Sequence, residues 1–241
     1  MIETRKLTKE YEPGARALDG LNLEVAEGEV YCLLGANGAG KTTAIHLLLD
    51  FISPTSGEAL IDGINVARKP LEAKTRVAFL PENVQLYGAL SVRQNLGFFC
   101  EVYGKRMEQP ELEALLEEVG LPAATLDRRV RHLSKGMRQK LGLAIVAVKG
   151  AQNLILDEPL SGLDPEAASS MVGALGRLRD RGTSILMSTH DVFRAKELAD
   201  RVAILLDGRK ILEKTREELR DADLERLYLE YIRGGRSESE K

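Results

Sequence analysis

The stretch GANGAGKT, residues 35–42, places three glycines, a lysine and a threonine in eight positions, directly behind the apolar run VYCLL (30–34). It fits the pattern G-x-x-x-x-G-K-S/T. Glycines let the backbone curl until successive N–H groups point inward, as a ring of phosphate oxygens requires. A helix starting behind the loop adds the positive end of its dipole. Gly35, Asn37, Gly38, Ala39 and Gly40 are therefore expected to cradle a nucleotide's phosphates. Lys41 is expected at the β- and γ-phosphates, Thr42 on Mg2+ and Thr43 at the α-phosphate. Alone, the loop leaves kinase, GTPase, helicase and transporter ATPase open.

Around this loop the chain alternates in a way that predicts its fold class. Strand patterns precede it in IETRKLTKEY, ALDGLNLEV and EVYCLLG, and GEALIDG follows it. Turn signals stand at Pro13-Gly14, Glu27-Gly28, Ser56-Gly57 and Asp62-Gly63. Behind Lys41 the spacing turns helical in TTAIHLLLDFI. From about 84 to 147 the chain reads as mostly helical. Strands return in NLILD (153–157), TSILMST (183–189) and RVAILLDG (201–208), with helices between. That order predicts an α/β P-loop NTPase core with a mostly parallel sheet. It carries an N-terminal antiparallel β subdomain and an inserted α-helical subdomain. The single domain would have its core at 1–83 and 148–233, the helical part at about 84–147 and a disordered tail at 234–241.

The bulk numbers narrow the class. At 241 residues, 44% hydrophobic and 29% charged, the chain is expected to fold as one soluble globular unit. A net charge of −3 without a long basic run argues against a nucleic-acid partner. No apolar run has the length of a membrane span, and the N-terminus lacks the apolar stretch of a signal peptide. Cys32 and Cys100 form no framework and read as reduced cytosolic thiols. His46 and His132 read as helix-face or solvated residues.

NLILDEP (153–159) ends an apolar strand on Asp157 and Glu158. In open α/β sheets, ligands sit at the carboxyl ends of strands. Asp157 is expected to hold Mg2+, and Glu158 to polarise an attacking water as general base. No Asn-Lys-x-Asp pattern for reading guanine occurs in the chain. LSKGM (133–137) opens a long apolar helix, with Ser134 as a plausible N-cap. Ser134 and the Gly136 N–H would stand at the helix's positive end, a second anion site. SGLDP (161–165) and STHD (188–191) follow.

Taken in this order, the motifs resemble those of the ATP-binding-cassette (ABC) ATPases over nearly the whole chain. GANGAGKT resembles the Walker A loop, NLILDE the Walker B strand, LSKGM the signature motif and SGLDP the D-loop. His190 corresponds to the switch histidine at the γ-phosphate, and Tyr11 to the aromatic that stacks on adenine. The resemblance implies an ATPase with ATP and Mg2+. Two copies, identical or not, would pack head to tail, so that Lys41 of one and Ser134 and Gly136 of the other grip the same ATP. Asp164 would work across that interface. The pair would drive an integral membrane permease on a separate chain, at the cytoplasmic face of the membrane. A soluble ABC ATPase of DNA repair or translation is the alternative; such proteins usually carry long coiled-coil inserts or two cassettes.

The chain departs from the family pattern twice. Lys135 and Met137 stand where the signature usually has Gly and Gln, while Ser134 and Gly136 are kept. Glu82 stands where the Q-loop in VAFLPENVQLY (77–87) normally has a glutamine. A glutamate there brings negative charge beside the polyphosphate, and Glu82 is expected on Mg2+. The Pro-Glu-Asn and SKGM contexts are similar to cassettes of the ABC-2 type, which serve exporters and membrane complexes. LPENVQLY is also similar to the ATPase of the nitrous-oxide-reductase copper-site maturation system. Leu86, Tyr87, Leu90, Phe98 and Phe99 fall where the family receives a cytoplasmic helix of the membrane partner.

Overall fold

A computed structural model describes residues 1–221, 224–226 and 228. Strands β1 (Ile2–Glu12), β2 (Ala15–Val25), β4 (Ser56–Ile61) and β5 (Ile64–Asn65) form one antiparallel sheet, in the order β2-β1-β4-β5. A six-stranded sheet holds β3 (Val30–Leu34), β6 (Val77–Leu80), β7 (Asn153–Asp157), β8 (Ser184–Thr189), β9 (Arg201–Leu206) and β10 (Arg209–Thr215). Its order is β10-β9-β3-β8-β7-β6, parallel except for the β9–β10 hairpin.

The apolar runs of β3 and β8 follow from burial on both faces. Along β3 the side chains alternate with period two. Val30, Cys32 and Leu34 join the core beneath the helices, whereas Tyr31 and Leu33 join the core shared with the antiparallel sheet. Helix α1 (Lys41–Leu48) packs in that second core. The first core takes in α3 (Val92–Val102), α4 (Gln109–Glu118), α5 (Lys135–Lys149), α6 (Pro165–Asp180) and α7 (Val192–Leu198). Cys32 and Cys100 are buried and free, and burial pushes both thiols up.

The α/β class holds, with local differences. Ser56-Gly57 does not separate strands; it begins β4, where the pairing with β1 shifts register between Arg5 and Thr8. The helical pattern after Lys41 closes at Leu48, where Leu49 and Phe51 turn back onto α1 carbonyls. A further helix, α2 (Pro70–Arg76), starts on the proline that suits a first turn. The helical reading of 215–232 meets α8 (Arg216–Asp221) and, beyond it, only Leu224, Glu225, Arg226 and Tyr228. The tail 234–241 lies outside the described residues.

Candidate functional site

Strand β3 runs out of the core at Leu34, and the loop 35–40 turns beyond its carboxyl end into α1. Gly40 makes that entry possible. It sits at φ 104, and a Cβ there would meet the Ala17 carbonyl oxygen at 2.5 Å. The loop borders a cleft of about 290 Å³, lined by Ala17, Ala36, Asn37, Gly38, Gly40, Lys41, Thr42, Thr43, Glu82, Asp157 and Glu158. A larger hollow of about 340 Å³ lies at the amino ends of β7 and β8, where Leu115, Val146, Leu154 and Leu178 give it apolar walls. It gathers none of the expected site residues.

In the cleft, Lys41 is only 6% exposed. Its Nζ donates to the Gly35 and Ala36 carbonyls at 2.7 and 3.2 Å, and faces Glu158 Oε1 at 3.4 Å. Glu158 Oε2 lies 3.0 Å from His190 Nδ1. Oε1 is buried and makes no hydrogen bond, and the Lys41 ammonium is its ion-pair partner. Thr42 Oγ1 donates to Asp157 Oδ2 at 3.4 Å. A hydroxyl and carboxylates are hard oxygen donors, the set that suits Mg2+. The donor chemistry therefore fits that ion, with Thr42 and Asp157 as the residues to hold it.

Other expected residues stand apart from this cleft. Ser134 caps α5, its Oγ accepting from the Met137 N–H at 3.2 Å. Asp164 caps α6 through the Ala167 N–H at 2.8 Å. The two helix starts touch, since a Cβ on Gly136 would come within 2.8 Å of the Ala167 Cβ. Neither Ser134, Gly136 nor Asp164 lines the cleft. Tyr11 is 56% exposed near the end of β1, with the Lys9 ammonium over its ring, and does not line it either. Glu82 does line it, and accepts from Ser161 Oγ at 3.4 Å.

An ABC transporter family model matches residues 18–161. The chain belongs to the ABC transporter family. Its ABC relatives include the daunorubicin resistance ATP-binding protein DrrA3 of Streptomyces coeruleorubidus, 37% identical over 85% of this chain and 65% of its own length. The bacitracin transport ATP-binding protein BcrA of Bacillus licheniformis is 35% identical over 96% of this chain and 74% of its own. Of other curated ABC relatives the chain spans about a tenth of the length. A solved ATP-binding subunit of an ABC transporter superposes with a TM-score of 0.83 at 31% identity, covering 95% of this chain and 98% of that one.

Two residues without a role in the motif pattern also join the site's acids. Ser188, quoted within STHD, bonds both Asp157 and Glu158. Ser161, at the head of the D-loop, reaches Glu82. The signal for Ser188 is a polar residue placed directly behind the apolar ILM of β8, next to Thr189.

Proposed function

We propose that this chain is the ATP-binding and ATP-hydrolysing subunit of an ABC transporter, working as a dimer that drives a separate membrane permease of the ABC-2 exporter type. One observation carries the reading. Lys41, Thr42, Asp157, Glu158 and His190, drawn from three parts of the sequence, converge at the carboxyl edge of one sheet. The names of the relatives, daunorubicin resistance and bacitracin transport ATP-binding proteins, support export.

In this reading the loop N–H groups and Lys41 hold the phosphates, and Thr43 adds a bond at the α-phosphate. Thr42 and Asp157, with Glu82 beside them, hold Mg2+. When bound, that ion neutralises charge on the β- and γ-phosphate oxygens. Glu158 takes a proton from water as the water oxygen attacks the γ-phosphorus, and the bond to the ADP oxygen breaks. His190 steadies Glu158 Oε2 and meets the γ-phosphate. Ser134, Gly136 and Asp164 face a second copy, since they stand outside their own cleft. Tyr11 stacks on adenine. The aromatic group Tyr87, Phe98, Phe99 and Tyr103, in ring contact in that order, meets the permease. No described helix is long and apolar enough to cross a membrane, so the place at the cytoplasmic face would come from that contact.

The test is to tag the Glu158→Gln variant, extract membranes gently with ATP present and identify what co-purifies. A polytopic membrane protein supports the proposal. Ribosomes or DNA-repair proteins without a membrane subunit would overturn the transport half and favour a soluble ABC ATPase.

A further inference from the structure

Ser188 is a fully buried hydroxyl on β8, following Ile185, Leu186 and Met187, which are fully buried too. Such a group is costly unless hydrogen-bonded. The β7–β8 register sets it opposite Asp157. Its Oγ donates to Asp157 Oδ1 at 2.5 Å and accepts from the Glu158 backbone N–H at 3.0 Å. The first bond is charge-assisted and short. It occupies Oδ1 and leaves Oδ2 turned to Thr42 Oγ1. The second holds a peptide in an unusual turn, because Glu158 sits at φ 48, in the left-handed region, without being glycine. Residues held in that region persist when their surroundings over-determine them.

We infer that Ser188 is a positioning residue for both acids of the site. It fixes which Asp157 oxygen faces the Mg2+ position, and it anchors the turned backbone that aims Glu158 between Lys41 and His190. Alanine would continue the strand and perform neither task. The inference rests on the ATPase reading above and adds a residue to it. Partners in this outer position usually change metal affinity or activity by about 10- to 100-fold.

The experiment compares the wild-type chain with Ser188→Ala and Ser188→Thr. Mn2+ binding is read from the electron paramagnetic resonance of free Mn2+ in the presence of ADP, beside kcat and KM for ATP and thermal melting. Ser188→Ala is expected to bind Mn2+ roughly 10-fold more weakly and to lose about 10- to 100-fold in kcat, with a cooperative melt. Ser188→Thr keeps the hydroxyl and is expected to restore both. Wild-type Mn2+ affinity and kcat in a folded Ser188→Ala overturn the inference. So does a folded Ser188→Thr as impaired as Ser188→Ala. Should Ser188→Ala not fold, Ser188→Cys, a weak donor of similar size, is read instead, and wild-type values there overturn it equally. A wild-type chain with neither ADP-dependent Mn2+ binding nor ATP turnover removes the ATPase reading itself, a failure visible before any variant is compared.

Discussion

Replacing Glu158 by glutamine keeps the shape of the side chain and removes its charge, so two consequences follow from one change. As general base, Glu158 is expected to supply about 10²- to 10⁴-fold of the rate. Glu158→Gln should therefore lower kcat by that factor. The second consequence lies in binding. Glu158 Oε1 faces the Lys41 ammonium at 3.4 Å, with both side chains largely buried. At an effective dielectric near 20, two unit charges so placed attract by about 5 kcal/mol, an upper figure because desolvation opposes it. Phosphate must draw Lys41 away from that partner. Removing the charge leaves only the Gly35 and Ala36 carbonyls as competitors. A net gain of about 1–2 kcal/mol, roughly 5- to 30-fold in Kd for a non-hydrolysable ATP analogue, is expected. Steady-state phosphate release gives the first quantity and isothermal titration the second. His190→Ala is the control: it removes the Oε2 contact and leaves the Lys41 pair, so its Kd should not tighten. Turnover of Glu158→Gln within tenfold of wild type would refute the base assignment. An unchanged Kd would refute the competition between carboxylate and phosphate.

Three further outcomes are expected. Asn95 is fully buried; its Oδ1 accepts from the Tyr87 N–H and its Nδ2 donates to the Tyr87 and Ser91 carbonyls, so Asn95→Leu should cost about 2–4 kcal/mol in urea unfolding. Gly136→Val places a branched side chain where a Cβ alone comes within 2.8 Å of Ala167; a loss of about 1–3 kcal/mol, read from the melting midpoint, is expected. Burial would raise the Glu213 pKa, but the Lys210 ammonium, the Tyr31 hydroxyl and Arg201 outweigh it and hold the carboxyl below its ordinary value. A depressed folded-state pKa gives stability that is present above the unfolded value and lost as pH falls through the folded one. The melting advantage of wild type over Glu213→Gln should therefore shrink below about pH 4.5 and be flat from pH 6 to 8.

Legibility in the sequence followed the range of the forces involved. The loop 35–42 and the strands around it were readable because short-range backbone demands and two-faced burial leave a local mark, as in VYCLL and NLILD. Strands β6 and β10 were not identified. β6 is four residues long and is lost in the following loop, and β10 carries five partly buried residues between two exposed ends, with no clean alternation. The convergence of Lys41, Asp157, Glu158 and His190 was expected from motif order, but their mutual contacts depend on strand register, which no single segment encodes. Ser188 went unassigned for the same reason, since its partners lie 30 and 31 positions away.

The methyl-tight meeting of Gly136 and Ala167 has a mechanical consequence. Two helices pressed together at their first turns cannot slide past each other there without opening a gap or a clash. Ser134 and Asp164, each the cap of one of these helices, therefore ride on one stiff elbow. A displacement of either cap is felt at the other. The loop 81–91 between β6 and α3 is tied to Asn95 through Tyr87, and to the segment 129–131, where the Arg131 and Val130 N–H groups donate to the Gly88 and Leu90 carbonyls. The two caps are carried as one unit, and a surface that meets one of them meets the other in a fixed relation.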